Sequence, residues 1–350
     1  MPAPEPHSSP QTEKPRSTKE ALPTMRTPLV KTTLAALASV SVLLSSQAHA
    51  VGSDAGAISL TFGPSARGEA MGGLFATEAN DYAARWSNPG GLAFVNRGQL
   101  GTMFSQLVPG LADDVYFMYG GWVIPTKSLG TLQLDLTYLS YGKSEAVNDA
   151  NESGGTFTSY ELSPSASLGF KFLPNLGVGV TVKYVRIDLA PSNVLPDANG
   201  AGSGTGNSWA FDLGTLYTRQ RFRLGAVVDN LGPNITFIDD EQSDPLPRAF
   251  RLGGMYDIVA TEVSQIRAGV EYERSLVRLE RKPVYHVGAE FVYLNAFALR
   301  TGYLNDDEGA VKGFSGGFGF TWSSATFEYA NVPQADTLDR VHRFALWARY

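Results

Sequence analysis

The sequence predicts an all-β protein: a transmembrane antiparallel β-barrel of about fourteen strands, with a short helical and Gly-rich N-terminal hatch in its lumen. Three observations carry this. The last ten residues alternate, with Phe344, Leu346, Ala348 and Tyr350 on one side of a strand and Arg343, Ala345, Trp347 and Arg349 on the other. The chain carries an export signal near its start. Its tight and long connections take strict turns. A closed barrel is the only sheet that spans lipid without unpaired edges.

The N-terminal part reads as a leader. Arg26 and Lys31 form a basic region, Leu34 to Leu44 an apolar run, and Ala48-His49-Ala50 a small-x-small cleavage site. The apolar run is far short of the ~20 residues a spanning helix needs. Residues 1–24 are polar and Pro-rich, which puts the expected start at Met25 and cleavage after Ala50. The expected organisation is therefore a lead and cleaved signal over 1–50, a hatch over 51–97 and the barrel over 98–350.

The barrel strands follow in order. Fourteen are expected, near 98–106, 114–124, 129–141, 159–172, 176–188, 208–217, 221–229, 248–258, 263–274, 284–293, 297–304, 313–321, 325–331 and 341–350. Period-2 alternation marks several. Leu132, Leu134, Leu136 and Tyr138 oppose Thr131, Gln133, Asp135 and Thr137. Leu176, Val178, Val180, Val182 and Tyr184 oppose Gly177, Gly179, Thr181 and Lys183, and Phe314, Phe318, Phe320 and Trp322 oppose Ser315, Gly317, Gly319 and Thr321. Lipid requires the apolar side; a wet or tightly packed lumen accepts the other. Connections after even strands are tight, whereas those after odd strands include the polar stretches 142–158, 189–207, 230–247 and 331–340. Periplasmic turns and extracellular loops explain that parity; a soluble sandwich has no reason for it. Tyr116, Trp122, Tyr141, Trp209, Tyr217, Tyr303, Trp322 and Trp347, near strand ends, suit interfacial girdles.

Composition narrows function. Residues 51–350 hold 23 basic and 31 acidic residues, a net charge of −8, which argues against nucleic acid as a partner. There is no cysteine, so disulfides, thiolate metal sites and a lipid-anchored Cys are excluded. Residues 51–97 are too short for a domain. They hold a Gly-rich stretch and a helix-like segment, Thr77–Trp86, that stops at Asn88-Pro89-Gly90. The economical place for them is inside the barrel. There Arg67 would need a lumen carboxylate, for which Glu290 is the candidate.

These residues resemble a known family. GPSARGEAMGGLFATEANDYAARWSNPGGLA (63–93) looks like the N-terminal signature of PorV/PorQ outer-membrane proteins, and the match continues at 229–233, 246–253 and 299–303. The family is similar in turn to FadL-type fatty-acid channels, fourteen-stranded barrels with an N-terminal hatch. Where the families have Asn-Pro-Ala-Gly, this chain has Asn88-Pro89-Gly90-Gly91; the extra glycine predicts a looser, more mobile hatch. The resemblance implies either an accessory or shuttle barrel of type IX secretion or a channel for hydrophobic small molecules. The partners it implies are outer-membrane lipid, the barrel-assembly machinery, and type IX components with their cargo or else a hydrophobic ligand. The outer loops 142–158 and 230–247 would meet partner proteins.

Other motifs carry less. Gly313-Phe314-Ser315-Gly316-Gly317 fits the nucleophile-elbow pattern, but its Ser lies inside an alternating strand. Gly202-Ser203-Gly204-Thr205-Gly206 lacks the helix and Lys of a phosphate loop. Asp239-Asp240-Glu241 and Asp306-Asp307-Glu308 read as solvated loop tips rather than Ca²⁺ sites. Lys183, Glu290, Arg343 and Arg349 read as a paired interior network. No acid–base–nucleophile set is present. The expectation is a monomeric outer-membrane barrel that is not an enzyme, with no cofactor or metal. Arg67, Asn88, Pro89 and Gly90 are its hatch residues, and Phe344, Leu346 and Tyr350 its barrel-assembly signal.

Overall fold

The computed structural model describes Met1 and residues 55–79, 81–126, 128–147, 153–190, 204–237, 243–309, 311–334 and 338–350. The expected leader, the Asp239–Glu241 cluster and Gly202-Ser203 lie outside the described residues.

Fourteen antiparallel strands close a barrel: β1 (Gln99–Gln106), β2 (Val115–Pro125), β3 (Thr131–Val147), β4 (Ser153–Leu173), β5 (Leu176–Asp188), β6 (Thr205–Arg219), β7 (Phe222–Leu231), β10 (Ala249–Ala260), β11 (Ser264–Ser275), β12 (Val284–Tyr293), β13 (Phe297–Asp306), β14 (Val311–Trp322), β15 (Ala325–Val332) and β16 (Val341–Arg349). Two-residue strands β8 (Ile235–Thr236) and β9 (Ser243–Asp244) hang from β6 at the outer rim. Each barrel strand pairs with its neighbour in sequence, β7 pairs with β10, and β1 closes on β16 with Gln99 opposite Arg349 and Ser105 opposite Arg343. Every strand of the expected fourteen is present.

Alternation sorts the wall as lipid demands. Leu134, Leu136, Val180, Val182, Phe318, Phe320, Phe344 and Leu346 face outward, while Gln133, Asp135, Thr181, Lys183, Ser315 and Arg343 are buried in the lumen. Trp347 departs from the expected girdle. It shares parity with Arg343 and Ala345, so it points inward, where its indole donates to Glu328 Oε2 at 3.2 Å. The stretch 142–158 is also mostly not loop. β3 runs to Val147 and β4 starts at Ser153, with bulges at Ser140/Lys143 and Ala146/Val147. Strands of 17 and 21 residues exceed the ~9–11 needed to cross lipid, so this hairpin extends past the outer rim as a ribbon.

Residues 55–97 occupy the lumen, as 3-10 turns at Ile58–Thr61 and Pro89–Phe94 and short helices at Ala66–Ala70 and Ala84–Ser87. Met71, Leu74, Tyr82, Leu92 and their neighbours are fully buried there, making the lumen a packed core.

Candidate functional site

The lumen segment enters from the outer end. Gly56 N–H donates to Pro245 O (2.9 Å), and the N–H groups of Ile58 and Ser59 donate to the Glu161 carboxylate (3.2 and 2.8 Å). The segment leaves at Gly98, beside the periplasmic turns. Between these points its polar groups are tied to the wall. Ser65 caps the first short helix, accepting from Gly68 N–H (3.2 Å) and donating to Asp81 Oδ2 (3.0 Å). At the Gly72-Gly73 turn, φ 79° and 84°, the Gly72 carbonyl accepts from His286 Nδ1 (2.8 Å). The N–H groups of Phe75 and Ala76 both donate to Glu271 Oε2 (2.8 and 2.7 Å).

The four residues expected in the hatch lie at wall contacts. Arg67 makes a bidentate pair with Glu290 (Nε 2.9 Å, Nη2 2.8 Å), the partner expected for it, and its Nη1 is 3.0 Å from Glu78. Asn88 is wholly buried. Its Oδ1 accepts from Gly90 N–H (2.9 Å), and its Nδ2 donates to Ala76 O (2.6 Å) and to Thr215 O on β6 (2.9 Å). Pro89 directs its carbonyl onto Gly179 of β5. A Cβ on Gly90 would meet Gly214 O and Thr215 Cα of β6 at 2.8 Å. The extra glycine thus permits close seating of the turn against the wall, a different structural consequence from the expected loosening.

That seating is general. Inward glycines on the wall leave no room for a side chain: a Cβ at Gly121 would lie 2.4 Å from Tyr82 O, at Gly225 1.8 Å from Ala76 O, at Gly288 2.2 Å from Met71 O, and at Gly302 2.1 Å from Gly72 N. Outward glycines, Gly120 on β2 and Gly254 on β10, meet nothing within 4 Å. The inner glycines form a seat on which the lumen segment lies backbone to backbone.

Buried charge completes the fixing. Arg85 pairs with Asp135 and lies 3.7 Å from Asp212, which also holds Lys183 (2.8 Å). Arg251 pairs with Asp229 (2.7 Å) and donates to Trp86 O (3.1 Å); Arg343 donates to Gly63 O (2.6 Å) and pairs with Glu69 (3.2 Å). Burial pushes the Glu69 carboxyl up against the pull of Arg343. Burial, with the like charges of Glu328 and Glu78, raises Asp81 to about 6. Of the expected interior network, Lys183, Glu290 and Arg343 are paired. Arg349 is not: its guanidinium stacks 4.6 Å over Trp347 and has no carboxylate partner among the described residues. Of the second expected loop-tip cluster, Asp307 and Glu308 are exposed, with Asp307 held below its usual range by a hydrogen bond from Lys312, whereas Asp306 ends β13 and pairs with Arg281 at 3.0 Å. Ser315 donates to Ala70 O (3.0 Å), a structural bond.

Arg85, Asp135, Asp212, Glu271 and His286 were not among the expected site residues. For the four wall residues the signal was parity: a charge on the inward side of a membrane strand must find a partner across the lumen; Arg85, on the lumen segment, has no such pattern. Two vestibules flank the segment. The outer has a volume of about 560 Å³, with Leu60, Phe62, Trp86, Val284 and Val341 among its walls beside Arg251 and Arg343. The inner has about 180 Å³ and is lined by arginines and glutamates at the periplasmic ends of β11–β16.

The family model of the type IX secretion system protein PorV matches residues 46–282. The chain belongs to the PorV family. It is an outer-membrane barrel of that secretion-system family, not an enzyme. Among solved structures it is similar in fold to the CymD monoaromatic hydrocarbon channel (12% identity, 82% of this chain and 98% of that one, TM-score 0.53). It is similar likewise to the toluene transporter TodX of Pseudomonas putida (13% identity, 82% and 99%, TM-score 0.51). No curated protein matches the sequence.

Proposed function

We propose that this PorV-family barrel serves type IX secretion as an accessory or shuttle barrel, receiving cargo at its outer face while its lumen stays shut. The observation that carries this reading is the seat. The lumen segment lies on wall backbone at the inward glycines and is tied by buried charge to β3, β12 and β16. A lumen fixed around its circumference makes a poor conduit, which leaves the outer connections and the β3–β4 ribbon as contact surfaces. Residues 51–97 act as the hatch, 98–350 as the barrel, and residues 1–50 as a lead and signal removed after Ala50, translation starting at Met25. Phe344, Leu346 and Tyr350 present the barrel-assembly signal, the first two facing lipid. The working form is a monomer.

Deletion of the gene followed by quantitative proteomics of the cell surface and medium tests this. Selective loss of proteins with C-terminal sorting domains is expected; an unchanged secretome would sink it. Shortening 142–158 and 230–247 should block release while the barrel still folds. N-terminal sequencing of the membrane form tests the cleavage site.

Two observations favour a second reading, a channel for hydrophobic small molecules. The outer vestibule has apolar walls. The β4–β5 ladder is interrupted between Leu162/Arg186 and Ser165/Lys183, at Pro164, which has no N–H to give. Uptake of a monoaromatic hydrocarbon into proteoliposomes no faster than into empty vesicles would eliminate it.

A further inference from the structure

The inner vestibule is lined by more guanidinium than carboxylate. Six charged residues line it: Arg67, Arg267, Arg300 and Arg349 against Glu290 and Glu328, a surplus of two positive charges. Glu290 is saturated, taking Arg67 at 2.8 Å, Arg300 at 2.8 Å and Arg267 at 3.3 Å. Glu328 is occupied by Arg300 Nη2 (2.9 Å) and the Trp347 indole (3.2 Å). The remaining carboxylates on these arginines, Glu78 on Arg67 and Asp257 on Arg267, are not part of the vestibule lining.

Donors are left over. Arg300 Nη1 is buried and makes no hydrogen bond among the described residues. A Cβ on Gly319 would lie 3.0 Å from it, so the glycine leaves room for that side of the guanidinium. Arg267 Nε is buried too; its contacts to Glu290 and Asp257, at 3.3 and 3.5 Å, are not aligned as hydrogen bonds. Arg349 Cζ lies 4.6 Å over the Trp347 ring, and the side chain has no carboxylate partner among the described residues. A half-buried guanidinium without a counter-ion is costly, and the planar fork of Arg matches an oxyanion.

We propose that the inner vestibule is an oxyanion site, open to the periplasm, that takes a phosphate or carboxylate group on Arg349, Arg267 and Arg300. A cavity of about 180 Å³ admits a small phosphate or dicarboxylate and is too small for a lipid. The site does not depend on the secretion reading, because it uses neither the outer loops nor the outer vestibule.

The test uses the full mature barrel in detergent, titrated by calorimetry with inorganic phosphate or succinate, each against sodium chloride at matched ionic strength. Saturable heat with either oxyanion, weakened at least tenfold in Arg349→Gln and in Arg267→Gln and retained in Arg349→Lys, is the expected result. Phosphate alone or succinate alone would name the preferred class. Heat-modifiable gel mobility reports whether each variant is folded; if Arg349→Gln does not fold, the Arg267→Gln comparison decides. The proposal is overturned if neither oxyanion differs from chloride, or if binding is unchanged in the folded glutamine variants.

Discussion

Replacing Gly225 by Ala should unseat the lumen segment, whereas the same change at Gly254 should not. The two positions lie on adjacent strands, inside and outside the same wall. At Gly225 the new Cβ would sit 1.8 Å from Ala76 O. To reach 3.0 Å, the shortest distance real Cβ atoms tolerate, the segment must retreat about 1.2 Å. The displaced group is backbone, and it is tethered: Ala76 O accepts from Asn88 Nδ2, and Ala76 N–H donates to Glu271. Overpacking costs about 1–3 kcal/mol, and each weakened hydrogen bond about 1 kcal/mol more. The expected loss is therefore about 3 kcal/mol. At Gly254 nothing lies within 4 Å, and Gly→Ala there should gain roughly 0.5–1 kcal/mol from a less flexible unfolded chain. Gly121→Ala and Gly120→Ala repeat the contrast on one strand, with Tyr82 O at 2.4 Å for the first and open space for the second. Urea unfolding in detergent gives the stabilities, and limited trypsin cleavage after Arg67 and Arg85 reports release of the segment. Equal midpoints and equal cleavage for the inner and outer variants would refute the seat.

Three further outcomes follow from the charges and the seam. Arg67→Met leaves Glu78 buried without its only ion-pair partner among the described residues, so a loss of about 3 kcal/mol is expected; adding Glu78→Gln should restore part of it, and urea midpoints of the single and double variants would show otherwise. Asp81, raised to about 6 by burial and its acidic neighbours, gives stability that is full below its ordinary pKa and is lost as pH rises through 6. That amounts to about 1 kcal/mol between pH 5 and pH 7, and Asp81→Asn should flatten this slope in unfolding midpoints taken across that range. Tyr350 takes a hydrogen bond from Trp122 Nε1 (2.6 Å) and donates its N–H to Gly98 O (2.9 Å) across the closing seam. Tyr350→Ala should cost the refolded barrel only about 1 kcal/mol yet sharply lower its level in the outer membrane, since its larger part is recognition during assembly; equal levels in isolated membranes would reject that role.

The wall was legible because lipid makes the alternation strict. Leu132, Leu134, Leu136 and Tyr138 could only face out, and the strands they define lie within a few residues of those observed. Where bulges break the period, legibility fails: Ser140/Lys143 and Ala146/Val147 hide the continuation of β3 and β4 into the outer ribbon. β8 and β9 are two residues each, too short to show any period. Trp347 was misplaced by residue type, although its own parity pointed inward. For the lumen, the need of Arg67 for a counter-charge was readable, but Arg85 finding Asp135 50 residues away depends on closure of the barrel, which no local pattern encodes. The inward glycines were read as merely tolerated. Their use as a seat appears only when wall and segment are seen together.

Opening this lumen would mean breaking ties on several sides at once. Displacing the segment parts Arg67 from Glu290 on β12, Arg85 from Asp135 on β3 and Glu69 from Arg343 on β16. Breaking a buried pair costs about 3–5 kcal/mol. Even half of that for each, allowing for water entering the vestibules, sums to more than about 4 kcal/mol, which corresponds to an open population below roughly one in a thousand. The inner glycines add to this, since the segment must rise off the wall before it can slide. A ligand that opens the lumen must therefore bind the open form tighter by at least that much. A small apolar solute in the outer vestibule meets the Arg251 and Arg343 guanidiniums as well as apolar walls, which limits the affinity it can supply. A protein partner covering the outer rim, with an interface of ordinary size, has more than enough binding energy. The fold shared with hydrocarbon channels is thus compatible with a barrel whose working surface is its outside.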